Sequence, residues 1–494
     1  MRNAAFLTFL ALLCFGSPAL AKSAKIKVFQ TEVIDGKLVP LVEKRTLKFS
    51  RLKEGGAAAT FKLIPEMLHQ KMDGYGANFT ESCAINLLKL PRKQRREVME
   101  KIFSKKNGAG FDYLRLPLGA SDFADGKKGS YTYNDSPNAE PDPEFKHLDL
   151  SRDDKSFSLL REAIRINPHL HLMISPWTAP AWMKPNKSLH DGWLDPERYE
   201  DYAKYFVRVI RELQKKGMPV DSLTIQNEPL YATKGYPSMY MSPKDQSRFI
   251  GDYLGPILEQ AKLPLRIFSH DHNWSLSEDS NKILEYDAAR KYTAGVAYHC
   301  YWGSKYNMFD TFNAYPEMAL VQTECTGTES YLDGTKSHPI NDFGWWLDNQ
   351  SLGAARMGPT GTTGALGWNL CLDEKNGPQN GIKDDPTIPN GGCTTCRGMV
   401  KMDFSGEMPE VTYNGEFYAL AQVSRFITPE SYRLEVEGDP EGLIATGFLN
   451  KDGTIAFVAH NSTDDAKRFR VAIGKEYFDY ELPGKFAVTF VWKR

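Results

Sequence analysis

The segment Leu223-Thr-Ile-Gln-Asn-Glu-Pro229 has the pattern of a buried strand that ends in a charged residue, Glu228. A second strand-like segment, Ala319-Leu-Val-Gln-Thr-Glu324, ends in the same way. A carboxylate is costly at the rim of an apolar strand unless the site requires it, so two such endings indicate a pair of carboxylates with a chemical role. Glycosidic bonds are hydrolysed by carboxylate pairs of this kind.

Strand-like and helix-like segments alternate over residues 72–408. Apolar or aromatic runs of strand length are separated by longer amphipathic stretches, which is the pattern of βα units. Residues 199–216, for example, show the 3.6-residue period of a helix with one apolar face. Eight strands with intervening helices predict an α/β fold of the (β/α)8 TIM-barrel type. The expected strands are residues 74–78, 113–117, 170–175, 222–226, 266–270, 295–299, 319–323 and 365–369.

The two ends of the chain have a different pattern, which is typical of β structure. Residues 22–71 contain short strand-like stretches without a helical period, and residues 409–494 contain longer ones separated by turn signals. The N-terminal strands are too few to bury a core of their own. We therefore expect them to join the C-terminal strands in a β-sandwich domain built from both chain ends.

Residues 1–21 have the features of a signal peptide. Arg2 precedes an almost wholly apolar run, and Ala19-Leu-Ala21 fits the small-residue cleavage pattern. This predicts a secreted protein, extracellular or periplasmic after cleavage. The whole chain has 61 basic and 62 acidic side chains and a net charge of -1. The chain as a whole has no positive electrostatic field that would attract a polyanion, so we expect no nucleic-acid partner.

The cysteines and histidines do not form a metal-binding pattern. Six cysteines remain after the signal peptide, and export permits disulfides. We expect one within the cluster of Cys371, Cys393 and Cys396, while the connectivity stays open. A zinc site would need a second close pair or histidines at matching spacing. The two histidines that flank Asp271 are better explained by hydrogen bonding at a strand end. We therefore expect no metal and no cofactor.

Polar and aromatic residues follow the predicted barrel strands, at the end where TIM barrels place their active sites. Sugars present flat apolar faces ringed by hydroxyls, so indole rings suit them as platforms. Trp177, Trp302 and Trp368 are the platform candidates. For each tryptophan taken singly, ordinary core packing is an equally good interpretation.

A series of motifs marks these strand ends. They are Asp73-Gly-Tyr-Gly-Ala-Asn-Phe-Thr-Glu81, Tyr113-Leu-Arg-Leu-Pro117, Tyr131-Thr-Tyr133, Ser175-Pro-Trp-Thr-Ala-Pro-Ala-Trp-Met-Lys184, Thr224-Ile-Gln-Asn-Glu-Pro229, Ala297-Tyr-His-Cys-Tyr301, Thr323-Glu-Cys325 and Gly367-Trp-Asn-Leu370 with Gly377-Pro378. In content and order the chain resembles glycoside hydrolase family 30, the glucosylceramidase-like group of retaining β-glycosidases. The resemblance covers most of the chain. It implies a (β/α)8 barrel with a β-sandwich made from both chain ends, in agreement with the pattern above.

The resemblance also implies roles for individual residues. Glu228 would be the general acid/base and Glu324 the nucleophile. Asn227 would contact the sugar 2-hydroxyl, and Arg115 is expected to be a buried guanidinium that keeps Glu324 ionised. The other substrate-binding positions implied are Glu81, Trp177, His299, Tyr301, Trp368 and Gln379.

Two positions depart from the family pattern. Glu81 stands where glucose-specific relatives usually carry an aspartate that holds the distal hydroxyls. Gln379-Asn380 replaces the usual Asn-Trp pair. Both changes bear on which sugar is bound and on the leaving-group side of the site.

A retaining mechanism places the two carboxyl groups roughly 5 to 5.5 Å apart. Like charges at that distance disfavour double ionisation, so one group keeps a proton in the free enzyme, and we assign that proton to Glu228. The structural alternative is that Glu228 caps a turn and Glu324 pairs with Arg115 at the barrel rim.

The sequence thus predicts a secreted retaining β-glycosidase, a glucosylceramidase or β-glucosidase, that hydrolyses β-linked glucose by double displacement. The expected partner is a β-glucoside or a glucosylated lipid or glycan. A lipid substrate would bring the enzyme into transient contact with a membrane surface. The alternatives are an endo-β-1,6-glucanase on the same scaffold and a non-catalytic carbohydrate-binding barrel.

Overall fold

The computed structural model describes residues 25–52, 60–330, 336–357, 361–381, 392, 393 and 395–494. The predicted signal peptide lies outside these residues and stays a prediction. Within the described ranges, no helix has both the length and the apolar character needed to cross a bilayer. The chain forms a closed barrel, a ten-stranded sheet and a small three-stranded sheet.

The first four strands precede the barrel and belong to the ten-stranded sheet. In the fourth of them, Phe61 and Leu63 are buried while Lys62 between them is exposed, as in a sheet with one covered face. These strands are β1 (Lys25–Ile34), β2 (Lys37–Lys48), β3 (Ser50–Arg51) and β4 (Phe61–Lys71).

The next eight strands form the barrel, and every neighbouring pair is parallel. They are buried almost throughout, because helices cover the outside and side chains fill the interior. All eight strands that the sequence predicts are present, with shifts of a few residues at their ends. The strands are β5 (Gly74–Asn78), β6 (Tyr113–Pro117), β7 (His171–Ser175), β8 (Val220–Thr224), β9 (Arg266–Asn273), β10 (Thr293–His299), β11 (Ala319–Glu324) and β12 (Gly364–Gly367).

Helices connect the barrel strands and pack around them. The predicted helix over residues 199–216 is observed as Tyr199–Lys215, with Tyr202, Phe206 and Ile210 fully buried on its inner face. The helices up to the end of the barrel are α1 (Glu81–Lys89), α2 (Arg92–Phe103), α3 (Asp154–Ile166), α4 (Tyr199–Lys215), α5 (Pro243–Arg248), α6 (Gly255–Gln260), α7 (Ser277–Leu284), α8 (Asp287–Tyr292), α9 (Met308–Ala314), α10 (Pro339–Trp346) and α11 (Leu352–Arg356).

After the barrel the chain returns to β structure. The small sheet contains β13 (Cys371–Asp373), β14 (Val400–Asp403) and β15 (Glu410–Tyr413), and it is followed by helix α12 (Gly415–Ser424). The remaining strands are β16 (Tyr432–Glu437), β17 (Leu443–Leu449), β18 (Thr454–Asn461), β19 (Lys467–Ile473), β20 (Glu476–Leu482) and β21 (Ala487–Lys493).

The ten-stranded sheet is built from both chain ends, as predicted. Its strand order is β2-β1-β21-β18-β17-β16-β4-β19-β20-β3, so N-terminal and C-terminal strands alternate in it. The sheet folds over on itself, because aromatic rings from distant strands meet. The rings of Phe478 on β20 and Phe490 on β21 are 4.8 Å apart, although five strands separate β20 from β21 in the sheet. The result is a two-layered sandwich.

Helix α12 joins the sandwich to the barrel through a buried amide. Gln422 accepts a hydrogen bond from Thr31 Oγ1 (2.6 Å) on β1 and donates one to Thr489 Oγ1 (2.7 Å) on β21. Two residues further on, Ser424 Oγ donates to Gly110 O (2.9 Å) in the segment that leads into β6. The two chain ends are therefore fixed against the same helix that contacts the barrel.

We predict that replacing Phe490 by alanine destabilises the sandwich. Phe490 is fully buried between the two layers, so truncation should leave a cavity and cost about 3 to 5 kcal/mol. Tyr432→Ala is the matched control, because Tyr432 lies in the same sheet but is partly exposed. Thermal unfolding followed by circular dichroism measures both variants. Equal melting temperatures for the two would contradict the packing of Phe490 between the layers.

Candidate active site

Glu228 and Glu324 converge at the carboxyl end of the barrel. Glu324 is the last residue of β11, whereas β8 already ends at Thr224, four residues before Glu228. The backbone of Glu228 has a φ of 45°, in the left-handed region that non-glycine residues rarely adopt. Its N–H donates to Asp271 O (3.0 Å), which helps hold this conformation. A carboxylate oxygen of Glu228 and one of Glu324 lie within 4.8 Å of each other, as a facing pair requires.

The guanidinium of Arg115 connects the residues around this pair. It is fully buried, and a buried cation is tolerated only when it is well paired. Its Nη1 donates to Glu324 Oε2 (2.9 Å), and the charge of Arg115 acts to lower the pKa of that carboxyl. Its other hydrogen bonds go to Asn78 Oδ1 (2.9 Å), Asn227 Oδ1 (2.6 Å), Ser175 Oγ (3.0 Å) and Asp271 Oδ2 (2.7 Å).

Asp271 is a third buried carboxylate in the site, and the sequence reasoning assigned it no role there. Burial disfavours its charge, but Arg115 and the hydrogen bonds from His299 and Thr224 hold the pKa of Asp271 well below its usual range. It is therefore ionised. Its donors are Arg115 Nη2 (2.7 Å), Thr224 Oγ1 (2.6 Å), Thr323 Oγ1 (2.6 Å), Ser175 Oγ (3.0 Å) and His299 Nε2 (3.1 Å).

His299 lies between the carboxylates with both ring nitrogens in use. Nδ1 is 3.1 Å from Glu228 Oε1, and Nε2 is 3.1 Å from Asp271 Oδ1. Glu324 Oε1 is 3.9 Å from the same Nδ1. Burial opposes a charged ring, yet these three carboxylates together raise the pKa of His299 to about 10. The imidazole is thus a cation that donates from both nitrogens.

The charge on His299 affects the pKa values of both glutamates. Burial and the charge of Glu228 raise the pKa of Glu324, against the lowering effects of His299 and Arg115. Burial would also raise the pKa of Glu228, but the hydrogen bond from His299 and the nearby ring of His272 hold it below its ordinary value. The pKa of Glu228 is thus shifted in the direction opposite to that of a group that keeps the proton in the free enzyme. The proton nearest to Glu228 is the one on His299, at the other end of a 3.1 Å hydrogen bond.

Tyr301 and Asn227 also reach the carboxylate pair. The hydroxyl of Tyr301 donates to Glu324 Oε1 (2.8 Å), the oxygen that Arg115 does not contact. The side-chain oxygen of Asn227 accepts from Arg115, which directs its amide nitrogen away from the guanidinium. That nitrogen is then free of the guanidinium, and the contact of Asn227 with a sugar hydroxyl stays a prediction.

Trp177 and Trp368 form one aromatic wall rather than two separate platforms. Their rings stack at 5.2 Å with an interplanar angle of 24°, and both are almost completely buried. The guanidinium of Arg115 lies 4.8 Å from the centre of the Trp177 ring. Phe123 and the partly buried Tyr236 complete this cluster. Trp302, the third platform candidate, is 65% exposed instead.

Asp122 is a second carboxylate that the sequence reasoning missed. It follows β6, and its backbone O accepts from Asn380 N (2.7 Å). Burial and the charges of Glu324 and Glu228 raise the pKa of Asp122 well above its usual range. Its neighbour Phe123 packs edge-on against Trp368 at 5.8 Å. A carboxyl group placed beside the aromatic wall and both glutamates can hydrogen-bond sugar hydroxyls.

The carboxylate of Glu81 is engaged by other residues of the chain, and its predicted sugar contact stays a prediction. Its carboxylate pairs with Arg152 Nη2 (3.2 Å) and accepts from Asp125 N (2.9 Å). It lines a cavity of about 460 Å³ together with lysines, and neither Glu228 nor Glu324 lines that cavity. The first turn of α1 carries Glu81 toward this side, whereas Asp122 is the carboxylate close to the pair.

The predicted binding residue Gln379 has its amide nitrogen in use. Nε2 donates to Asn376 O (2.8 Å) and Cys393 O (3.0 Å). Its Oε1 is buried and has no hydrogen-bond partner among the described residues. Only that oxygen could accept a bond from a substrate. The role of Gln379 in binding stays a prediction.

Two disulfides are present among the described residues, and one of them flanks the carboxylate pair. Cys300 follows His299 directly, Cys325 follows Glu324 directly, and the two are bonded with their Cα atoms 5.2 Å apart. In the cluster where we expected a bond, Cys393 pairs with Cys396, while Cys371 is a buried free thiol. The first bond fixes the ends of β10 and β11 relative to each other.

Glu228, His299 and Glu324 also bring three potential metal-ligand atoms within 4.8 Å of one another. The charged His299 has both nitrogens engaged by carboxylates, and a ligating imidazole must give up one of those protons. The expectation that the protein needs no metal stays a prediction.

Comparison with known protein families agrees with this geometry. The family model described as "Glycosyl hydrolase family 30 TIM-barrel domain" matches residues 72–395. The family model described as "Glycosyl hydrolase family 30 beta sandwich domain" matches residues 430–490. These two regions contain the barrel and most of the C-terminal strands of the sandwich.

Individual relatives cover most of the chain. The endo-1,6-β-D-glucanase neg1 of Aspergillus fumigatus is 29% identical over 80% of this chain and 79% of its own. The lysosomal acid glucosylceramidase of Mus musculus is 25% identical over 89% of this chain and 84% of its own. The solved structure of the endo-β1,6-glucanase BT3312 has a TM-score of 0.83 and 31% identity, covering 95% of this chain and 99% of that one. The chain belongs to glycoside hydrolase family 30 and is a glycoside hydrolase.

Proposed function

We propose that the protein is a secreted retaining β-glycosidase that cleaves β-1,6-linked glucan by double displacement. The observation that carries the mechanism is the approach of Glu228 and Glu324 to within 4.8 Å, too close for a water to attack between them as inversion requires. The choice of linkage is supported by relatives named as endo-β-1,6-glucanases, which are 28% to 31% identical to this chain. The apolar N-terminal run supports secretion.

In the first step Glu324 attacks the anomeric carbon and the glycosidic bond breaks. Arg115 and Tyr301 each hold one oxygen of Glu324, which fixes the direction of attack. Glu228 takes a proton from His299 across their 3.1 Å hydrogen bond and gives it to the leaving oxygen, so Glu228 ends this step ionised and His299 ends it neutral. The products of this step are a glycosyl ester on Glu324 and a free aglycone.

In the second step water hydrolyses the ester. Once Glu324 is esterified its negative charge is gone, and its repulsion of Glu228 goes with it. Glu228, ionised, accepts a proton from the attacking water, and the sugar leaves with its original anomeric configuration. The proton taken from water returns to His299, and Asp271, which keeps its charge throughout, holds His299 and Arg115 in position in both steps.

A glucosylceramidase activity is the second candidate, and it is the one that the sequence motifs favour. It is supported by glucosylceramidases that are 25% to 28% identical to this chain. That substrate would bring the enzyme to a membrane surface. Incubation with a linear β-1,6-glucan and with glucosylceramide in micelles separates the two. Release of β-1,6-linked oligosaccharides supports the proposal, and turnover of glucosylceramide alone would overturn it.

We predict that Glu324→Gln abolishes turnover, with a loss of at least about 1,000-fold in kcat, because the nucleophile is removed. Glu329→Gln is the matched control, since Glu329 lies past the same strand but is half exposed and pairs with Lys401. The assay is release of reducing sugar, with circular dichroism to check the fold. Substantial activity in a folded Glu324→Gln protein would remove the proposed nucleophile.

Glu228→Gln should make the rate depend on the leaving group. Aryl glucosides with acidic phenols need no proton to depart, so their first step should be nearly as fast as in the wild type. Alkyl glucosides should be slowed by about 100-fold or more. Stopped-flow measurement of phenol release gives the first step directly. Equal losses for the two substrate types would show that Glu228 is not the acid.

Asp271→Asn should lower kcat by at least about 100-fold while the fold persists. The amide cannot match the charge of Arg115 and His299, so both lose the partner that positions them against the glutamates. Asp112→Asn is the matched control. Asp112 is also buried and ion-paired, with Lys105, but it precedes β6 at the opposite end of the barrel. Similar kcat values for the two variants, measured on folded protein, would exclude the positioning role.

A further inference from the structure

Two exposed aromatic residues face each other on the catalytic side of the barrel. Trp193 lies in the loop after β7 and is 56% exposed, and Tyr240 lies in the loop after β8 and is 43% exposed. A parallel backbone bridge pairs the two residues, and Tyr240 N donates to Gly192 O (2.8 Å). Residues that pair across such a bridge project to the same side. The two rings therefore present one shared surface to solvent.

The two loops are rigid where they carry these rings. Ser238 is the centre of the connection: its N–H donates to Leu189 O (3.2 Å), and its hydroxyl oxygen accepts from Asp191 N (3.2 Å). The buried ammonium of Lys184 then donates to Ser238 O (3.0 Å) and to Thr178 Oγ1 (2.9 Å), which ties the loops to the strand-end segment after β7. Burial lowers the pKa of Lys184 to about 7, so keeping the charged ammonium in these two hydrogen bonds costs free energy. A fixed backbone that leaves an indole in water is better explained by binding than by packing.

The loop that carries Tyr240 is hydrogen-bonded to the backbone next to Glu228. Met241 N, the residue after Tyr240, donates to Pro229 O (2.6 Å), the residue after Glu228. Tyr231 N in the same loop donates to Glu228 O (2.9 Å). In a two-carboxylate mechanism the acid/base faces the leaving group. The surface therefore lies toward the sugars that depart.

We propose that Trp193 and Tyr240 form a binding platform for a glucosyl unit on the leaving-group side of a β-linked glucan. The platform rests on the proposed function and extends it from one sugar subsite to a site that holds a chain. Flat aromatic surface matches the apolar face of glucose, and the loop that carries Trp193 also contains the polar residues Asn186, Ser188 and Asp195. A chain held on this side allows cleavage inside the polymer rather than only at its end.

The test compares a polymeric β-glucan with an aryl β-glucoside, which is too short to reach the platform. For Trp193→Ala and Tyr240→Ala, kcat/KM is measured on the β-glucan that the wild type cleaves best and on an aryl β-glucoside. Each substitution should lower the ratio of the polymer value to the aryl value by about 3- to 10-fold, mainly through KM. Trp193→Phe keeps an aromatic ring and should recover most of the ratio. Tyr286→Ala is the matched control, because Tyr286 is 41% exposed but follows α7 in the outer helical layer.

A second readout measures binding without turnover. In the Glu324→Gln background, native electrophoresis through gels containing the same β-glucan should show retardation that Trp193→Ala weakens and Tyr286→Ala does not. If the ratios and the retardation match those of the parent protein in both alanine variants, the platform is overturned. If the wild type does not cleave β-1,6-glucan, the proposed linkage is overturned instead. The platform is still tested in that case, because its assay uses whichever β-glucan the wild type cleaves.

Discussion

The active site depends on one buried cation, the guanidinium of Arg115. It is out of contact with solvent, and its charge is balanced by Glu324 and Asp271 at 2.9 Å and 2.7 Å. The same group orients the amide of Asn227 and lies against the ring of Trp177. Removing this buried cation would leave Glu324 and Asp271 without their guanidinium partner next to Glu228. The proposed nucleophile Glu324, the amide of Asn227 and the aromatic wall are therefore all in contact with one side chain on β6.

The carboxylates and His299 extend this arrangement into a continuous hydrogen-bonded chain. It runs from Glu228 through His299, Asp271 and Arg115 to Glu324, with successive distances of 3.1, 3.1, 2.7 and 2.9 Å. Negative and positive groups alternate along it, so each charge is stabilised by its neighbours. The acid/base and the nucleophile are thus coupled through protein groups as well as directly. Each group comes from the end of a barrel strand or the segment that follows it, which a closed parallel barrel brings to one face.

The sequence predicted those features that depend on local pattern. The eight strands were predicted because apolar runs of strand length alternate with longer amphipathic stretches. The two glutamates were found because apolar runs that end in charged residues are unusual. The shared sandwich was also predicted, since strands 22–71 could not bury a core alone. Asp271 and Asp122 were missed because nothing near them in sequence reveals their partners, Arg115 and the glutamate pair. The ion pair of Glu81 was missed for the same reason, because its partner Arg152 is 71 residues away. The proton was assigned to Glu228 because the charge on His299 depends on three carboxylates that only the fold assembles.

The stereochemistry of hydrolysis is the sharpest test of double displacement, because the separation of the two carboxyl groups determines it. Proton NMR of the anomeric region, recorded during the first minutes of cleavage of a β-glucoside, identifies the sugar anomer before it equilibrates in water. We expect the β anomer to appear first and the α anomer to accumulate only by mutarotation. First appearance of the α anomer would mean single displacement, and Glu324 could not then be the nucleophile nor Glu228 the acid/base of a retaining enzyme.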